Sequence, residues 1–278
     1  MRVRCEESAS VWRLSLGPGP DGHVTLDPAV CEALSAAVER AVAAGPRVLV
    51  IASEGPEFCA GMDLAAALSI PAAELRQSLG RFERCLGLLA EAGLATVAVV
   101  HGPASGGGVG LLAACDVVIA GPDASFALPE LRYGLVPALI LPHLQARIGA
   151  RRVRALALTG EALPAAQAAA WGLVDVLAED PNAALHGLVR GLLRARPQAV
   201  ATLKRLTAGD LRGAGLESEP AAHTGAGQGS AGAGQGSELT GAARTAADLE
   251  DPELRAALGG LLAEGVAPPW FTRLKGQV

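Results

Sequence analysis

Short apolar segments alternate with longer amphipathic segments along the first half of this 278-residue chain. The hydrophobic pattern predicts buried strands at 46–53, 95–100 and 117–120, and helices at 27–45 and 71–93. Buried strands that are connected by helices are typical of a parallel sheet with right-handed crossovers. The order of these segments therefore predicts an α/β fold.

The rest of the chain is predicted to complete a core and then to form a separate C-terminal region. The alternating segment 11–16 is predicted as a strand, and 143–208 as mainly helical with a possible short strand at 173–177. We predict a core domain over residues 1–195 and a C-terminal helical region over residues 196–278.

A segment of unusual composition, at about 209–247, interrupts the C-terminal region. It contains the hexapeptide GAGQGS twice, at 225–230 and 232–237, and it is rich in glycine, alanine and serine. A segment of this composition without an apolar period is typical of a flexible linker. We therefore predict a flexible insert, after which a helix resumes at 251–270.

The segment 101–116, HGPASGGGVGLLAACD, places three consecutive glycines where a buried strand ends and a helix begins. At a helix N-terminus the backbone N–H groups are unpaired, and the missing Cβ of glycine lets a ligand oxygen come close. The loop before Gly107 is thus suited to hold a phosphate or an oxyanion, and tight helix–strand packing is the alternative interpretation. The spacing matches neither GxGxxG nor GK[ST], which disfavours dinucleotide and P-loop sites.

Two further segments follow predicted strands and carry polar residues. EFCAGMD (57–63) places Met62 and Asp63 beside small residues, and FALPELRYG (126–134) places Glu130 in an apolar setting. An apolar environment raises the pKa of a carboxyl group and suits it to shuttle a proton. The alternative interpretation is a carboxylate at the N-terminus of a helix, since a proline precedes it.

Taken together and in order, four segments resemble the crotonase superfamily of enoyl-CoA hydratases and isomerases. They are FCAGMD, HGPASGGGVGLLAACD, FALPELRYGLVP and ALTGEALPAAQAAAWGLVD. The resemblance covers roughly residues 10–208 and resumes in the C-terminal helix. It implies a spiral of ββα units with a C-terminal helical region that mediates trimerisation, and hence a homotrimer or a hexamer.

The resemblance also implies a catalytic site. In that family two backbone N–H groups hold the carbonyl of a thioester and stabilise the enolate that forms from it. On this chain those groups belong to Met62 and Gly107, and the catalytic carboxylate is Glu130. The residues implied to bind the coenzyme A or phosphopantetheine part of the substrate are Leu26, Ala60, Asp63 and Leu64.

Other polar residues near these motifs have alternative roles. Asp63 can contact pantetheine or orient its own loop, and Tyr133 and His143 can reach a free carboxylate of the acyl group or serve the fold. Asp116 is predicted to be structural, at the entry to the strand 117–120.

One position departs from the hydratases of the superfamily, which carry a glutamate in the helix after the glycines. That position is Gly110 here, whereas the second family glutamate is retained as Glu130. The departure favours chemistry with a single base: isomerisation, single-base hydration or dehydration, or decarboxylation. We expect the space beside Gly108 and Gly110 to admit a branched acyl group.

Three segments resemble, more closely, the 3-hydroxy-3-methylglutaryl-ACP dehydratases of polyketide β-branching cassettes. They are EFCAGMDL, the apolar turn PALILP (137–142) and the ending DPELRAALGGLLAEGVAPPW. The resemblance implies dehydration of a branched 3-hydroxyacyl thioester carried by an acyl carrier protein or by coenzyme A, with no permanently bound cofactor. The alternatives are a methylglutaconyl-CoA or enoyl-CoA hydratase or isomerase, a decarboxylase of such a cassette, and a non-enzymatic scaffold.

Composition disfavours several other classes of protein. The net charge is −5 and aromatic residues make up 3%, without a basic block interleaved with aromatics, which disfavours nucleic acid and anionic membranes as partners. The first residues lack the apolar segment of a secretory signal, and the apolar stretch 94–121 is too interrupted to cross a membrane. Five widely spaced cysteines without a CxxC pair indicate free thiols rather than metal ligands. We therefore predict a cytoplasmic protein.

Overall fold

The computed structural model describes residues 2–207 together with Pro252 and Ala256. The predicted insert and nearly all of the predicted helix 251–270 lie outside these residues. The division into a core over 1–195 and a C-terminal helical region therefore stays a prediction.

Residues 2–207 form nine strands, eight α-helices and one 3-10 helix. The strands are β1 (Val3–Glu7), β2 (Val11–Leu16), β3 (Val48–Ser53), β4 (Ala95–Val100), β5 (Ala104–Ser105), β6 (Val117–Ala120), β7 (Ser125–Ala127), β8 (Leu163–Pro164) and β9 (Val176–Leu177). The helices are α1 (Pro28–Ala44), α2 (Leu64–Ser69), α3 (Ala72–Glu91), α4 (Gly107–Ala113), α5 (Leu141–Thr159), α6 (Ala165–Trp171), α7 (Pro181–Leu192) and α8 (Pro197–Thr207). The 3-10 helix spans Glu130–Tyr133.

The main sheet of the described residues contains six strands in the order β1-β2-β3-β4-β6-β9. β1 pairs antiparallel with β2, and each of the other neighbouring pairs is parallel. Helices connect the parallel neighbours, because a parallel pair cannot be joined by a tight hairpin. The predicted strands at 46–53, 95–100 and 117–120 are confirmed as β3, β4 and β6, and the α/β class with them.

Two parts of the sheet structure were not expected from the sequence. Only the first residue of β1 is buried, so this edge strand shows no alternation that would reveal it. β5, β7 and β8 form a second, three-stranded sheet whose strands are two or three residues long. The possible strand at 173–177 is present only as β9, which pairs with β6.

Both faces of the main sheet are buried, and β3 shows why its sequence is continuously apolar. Successive side chains of a strand point to opposite faces. Leu49 and Ile51 belong to the large core that includes side chains of α1 and α3, whereas Val48 and Val50 pack in a second core with Leu185 of α7. With both faces covered by helices, the loops at the carboxyl ends of the parallel strands are left as the place for a site.

All five cysteines are free thiols, and four of them are buried. Burial raises the pKa of Cys31 to about 11 and those of Cys59 and Cys115 to about 12, and it raises the pKa of Cys85 further. These thiols are therefore protonated at neutral pH.

Among the described residues, no helix is both long enough and apolar enough to cross a membrane.

Candidate active site

The three loops with the predicted motifs follow β3, β4 and β6, which lie side by side in the sheet. The carboxyl ends of adjacent parallel strands meet at one edge, so the loops converge there. A single bridge between Cys59 and Ala104 joins the first loop to the second, and the pairing of β5 with β7 joins the second to the third. The topology thus brings the predicted site residues to one edge of the sheet.

The backbone around Met62 leaves its amide N–H group free. Met62 forms an isolated parallel bridge with Leu26. Both hydrogen bonds of this bridge are made by Leu26, whose N–H donates to the Gly61 carbonyl at 2.8 Å and whose carbonyl accepts from the Asp63 N–H at 3.2 Å. The N–H of Met62 therefore points away from the bridge, and none of the described residues accepts a hydrogen bond from it.

The second predicted amide belongs to the first residue of α4. The N–H of Gly107 has no acceptor within the helix, because the first residues of a helix lack partners one turn earlier. The backbone of Gly61 lies against it, since an ideal Cβ on Gly61 would be 3.5 Å from the Gly107 amide nitrogen. The loop that carries Met62 is thus packed against the start of α4, and the two free amides are neighbours.

Gly61 itself is required by this geometry, which sequence analysis did not single out. Its φ is +90°, in the left-handed region that favours glycine. An ideal Cβ would lie 2.8 Å from the carbonyl oxygen of Ser105. The glycine in FCAGMD therefore lets the Met62 loop approach the β5–α4 segment closely.

Met62 and Gly107, which carry the two amides, both line a small, mainly apolar cavity of about 40 Å³. Its lining residues are Leu26, Pro28, Cys31, Met62, Asp63, Ala67, Leu75, Ser78, Leu79, Phe82 and Gly107. Leu26, Met62, Asp63 and Gly107 were expected at the site from the sequence, whereas the apolar side chains of α3 were not, because only the fold brings α3 here.

Three of the expected binding residues have other contacts in this structure. Ala60 is buried and its N–H donates to the Val24 carbonyl at 2.7 Å. Leu64 is buried at the first position of α2, and neither residue lines the cavity. The Asp63 carboxylate accepts a hydrogen bond from the Ala66 N–H at 2.9 Å and thereby caps α2. The Asp63 side chain thus orients its own loop, which is one of the two roles expected for it.

Glu130 combines a helix N-terminus with an enclosed carboxylate. It is the first residue of the 3-10 helix, and although the residue is partly exposed, its Oε2 atom is enclosed and has no hydrogen-bond partner among the described residues. Burial raises the pKa of this carboxyl group to about 7, while its own backbone N–H has a smaller, lowering effect. The rise in pKa that desolvation causes is therefore larger than the lowering by the backbone N–H at the helix N-terminus. The group can both accept and release a proton near neutral pH.

Gly106 places this carboxylate beside the start of α4. An ideal Cβ on Gly106 would lie 2.7 Å from Oε1 of Glu130, so a side chain there would displace the carboxylate from its present position. Gly106 directly precedes Gly107, whose N–H is one of the two free amides. The proposed base and the proposed oxyanion-binding amides are therefore assembled around the same helix terminus.

The expected open space beside Gly108 and Gly110 is absent, and that expectation is wrong. An ideal Cβ on Gly108 would lie 2.4 Å from the carbonyl oxygen of Cys59, and one on Gly110 would lie 2.1 Å from Cγ2 of Ile140. These two glycines serve close packing of α4, as the alternative interpretation held. Gly106 and Gly107 face Glu130 and the cavity instead.

His143 lies elsewhere, which favours a role in the fold, one of the two alternatives that the sequence left open for it. It lines a second cavity, of about 390 Å³, with Cys115, Asp116 and Lys204 at the C-terminal end of α4. Burial lowers the pKa of its imidazole to about 4, so the ring is neutral at pH 7. Tyr133 ends the 3-10 helix that Glu130 begins and packs against the core, and its contact with an acyl carboxylate stays a prediction.

Asp116 has the structural role that was predicted, with a partner far away in sequence. Its Oδ2 accepts from the N–H and the hydroxyl of Thr96 at 2.7 and 2.9 Å, and from Nζ of Lys204 at 2.8 Å. Lys204 is buried and also donates to the carbonyls of Leu89 and Leu94. The cluster ties β4 and the entry to β6 to α8.

Residues 6–221 match a family model described as enoyl-CoA hydratase/isomerase. The chain belongs to this family. The match confirms the crotonase resemblance on which the site assignment rests, and it includes all three converging loops.

Individual relatives support the same family and cover different shares of the chain. The enoyl-CoA isomerase/hydratase fer4 of Mycosarcoma maydis is 37% identical over 135 residues, which is 48% of this chain and 49% of the relative. The bacillaene synthase dehydratase PksH of Bacillus subtilis is 34% identical over 110 residues, 40% of this chain and 42% of the relative. The chain thus spans about half the length of these curated relatives.

A solved structure confirms the fold class. An enoyl-CoA hydratase from Mycobacterium avium superposes with a TM-score of 0.72 at 28% identity, over 95% of this chain and 96% of that one. The crotonase fold expected from the sequence is therefore present.

Proposed function

We propose that this member of the enoyl-CoA hydratase/isomerase family dehydrates a branched 3-hydroxyacyl thioester of the 3-hydroxy-3-methylglutaryl type. The observation that carries the proposal is the enclosed, unpartnered Oε2 of Glu130 beside the free amide at the start of α4. A base with a pKa of about 7 next to two unpaired N–H groups suits removal of a C2 proton from a thioester.

The proposed reaction proceeds through an enolate. The N–H groups of Met62 and Gly107 donate to the thioester oxygen, and Glu130 takes the C2 proton, so that negative charge develops on that oxygen. The electrons then return to form the C2–C3 double bond as the 3-hydroxyl leaves, protonated by Glu130 or by water. The amides bind the enolate oxygen more strongly than the neutral carbonyl, and this difference lowers the barrier.

Support for the branched substrate comes from motifs and from one relative. EFCAGMDL and PALILP resemble the dehydratases of β-branching cassettes, and PksH is a dehydratase by name. Gly110 contributes no free volume, because Ile140 fills its side. The thioester carrier in this proposal is an acyl carrier protein or coenzyme A, and no permanently bound cofactor takes part.

The proposal includes assembly as a homotrimer or a hexamer. Leu203 and Leu206 on α8 are 62% and 75% exposed, and such apolar side chains are suited to an interface between subunits.

The test compares substrates by mass spectrometry of the products. We expect the full chain to remove water from 3-hydroxy-3-methylglutaryl thioesters on an acyl carrier protein or on coenzyme A, and to hydrate crotonyl-CoA poorly. Rapid hydration of crotonyl-CoA without action on the branched thioester would replace this function with a general hydratase. Loss of carbon dioxide instead of water would indicate a decarboxylase, and no turnover of any thioester would indicate a scaffold.

The pKa of Glu130 predicts how turnover depends on pH. A general base must be ionised, so kcat/KM should rise with pH through about 7 and then level off. A rate profile measured between pH 5 and pH 9 tests this. A profile that is nearly flat across this range, as the ordinary glutamate pKa of about 4.3 would give, would contradict the enclosed environment of this carboxyl group.

A further inference from the structure

We infer that Ile140 is a specificity-determining residue. It fills the space that a side chain at position 110 would need, and it therefore restricts the site to a single carboxylate. The inference rests on the proposed function only for the identity of the reaction that Ile140 influences. The packing on which it stands is independent of the substrate.

The contact between Gly110 and Ile140 leaves no room for a side chain. An ideal Cβ on Gly110 would lie 2.1 Å from Cγ2 of Ile140 and 2.6 Å from its Cβ, well inside the usual contact distance of about 3.5–4.0 Å. Ile140 is buried, with 3% of its surface exposed. Because its Cβ is branched and itself too close, a rotation about χ1 does not relieve the overlap. The backbone before α5 would have to move.

This contact lies one helical turn from the Glu130 carboxylate. The Gly110 N–H donates to the Gly106 carbonyl at 3.1 Å, and Gly106 is the residue against which Oε1 of Glu130 lies. A carboxylate on residue 110 would therefore enter the region beside Glu130. Two carboxylates in such an enclosed region would raise each other's pKa.

One short segment supplies both the base and the residue that excludes a second one. The Glu130 carbonyl accepts from the Leu135 N–H at 3.1 Å, and the Ile140 N–H donates to the Pro137 carbonyl at 3.1 Å. These turns shape the segment itself, and both of its ends pack against α4 or its N-cap, Glu130 at Gly106 and Ile140 at Gly110. The apolar PALILP turn thus determines how many acid–base groups the site contains.

The first test asks whether a side chain at position 110 raises or lowers the melting temperature, because this depends on the packing against Ile140. Alanine in place of glycine inside a helix ordinarily stabilises a protein when nothing obstructs the new methyl group. We expect Gly110→Ala to lower the melting temperature of the full chain by several degrees, and to raise it when made in an Ile140→Gly background, which removes both atoms that obstruct the new Cβ. Gly87→Ala is the matched control, since Gly87 lies within α3 with no atom within 4 Å of its ideal Cβ, and it should raise the melting temperature in both backgrounds.

The second test measures proton removal at C2 with a thioester that cannot lose water. Exchange of the C2 hydrogens of isovaleryl-CoA with D₂O reports the base and the amides alone. In an Ile140→Gly background, Gly110→Glu should move the pH midpoint of this exchange upward by about one unit, whereas the uncharged Gly110→Gln should leave it in place.

The outcomes separate this inference from the proposed function. If Gly110→Ala stabilises the parent chain as Gly87→Ala does, or if the Glu and Gln variants share one exchange profile, Ile140 does not have this role. If the parent chain removes no water from the branched thioester while both tests give the expected results, the proposed function fails and the role of Ile140 stands.

Discussion

Replacing Glu130 by glutamine should lower turnover of the proposed thioester by about 10²-fold or more, the usual contribution of a general base. Glutamine has nearly the same shape but cannot accept the C2 proton. The measurement is the steady-state rate of water loss by the variant and by the parent chain at pH 8, where Glu130 of the parent is mostly ionised.

Stability provides the internal control for this variant. A carboxyl group whose folded pKa is raised contributes stability below its unfolded pKa, and this contribution is lost as the pH rises through the folded value of about 7. Glutamine carries no charge, so the variant should lose less stability than the parent between pH 6 and pH 8. Glu91→Gln, at an exposed position at the end of α3, should change neither property. A folded Glu130→Gln protein with nearly normal turnover would remove Glu130 from the mechanism.

Replacing Gly61 by alanine should lower turnover by about 10²–10³-fold, the usual loss when one oxyanion donor is displaced. The new Cβ would lie 2.8 Å from the backbone oxygen of Ser105, and backbone cannot rotate aside as a side chain can. The Met62 loop must therefore shift away from the start of α4, which separates the two amides. The steady-state rate with the same thioester measures the effect.

Gly45→Ala is the matched control for the backbone conformation. Gly45 also has a positive φ, +69°, but no atom lies within 4 Å of its ideal Cβ, and it lies at the exposed end of α1. Both variants carry the cost of an L-residue in the left-handed region, of about 1–2 kcal/mol. Only Gly61→Ala should lose activity beyond this shared loss of stability. Equal activities of the two variants would mean that the Met62 amide does not act on the substrate.

The parts of the fold with a strong periodic pattern could be predicted from the sequence. β6 was predicted residue for residue, because a short, fully apolar segment between polar boundaries is typical of a strand buried on both faces. The start of α4 at Gly107 was also predicted, since a run of glycines after a buried strand marks a helix terminus. β1 and β5 were not, because a half-exposed edge strand and a strand of two residues carry no period.

The site could be predicted only where a residue's role depends on its own neighbours in sequence. The apolar setting of Glu130 is visible in FALPELRYG, and its raised pKa agrees with it. The contact of Gly110 with Ile140 joins two elements thirty residues apart, and the sequence suggested open space where the fold packs a side chain. The role of His143 was left open for the same reason, since nothing in its local sequence shows which end of α4 it meets.

A thioester is an acylating agent as well as a carbon acid, and a nearby thiolate would take over its acyl group. Cys31 lines the cavity with the two amides, and Cys59 packs against Gly108. Their raised pKa values, about 11 and about 12, keep both sulfur atoms protonated and hence poorly nucleophilic at neutral pH. For the proposed substrate, this means that the enzyme can activate the carbonyl without acylating itself, so that the product leaves on the same carrier that delivered the substrate.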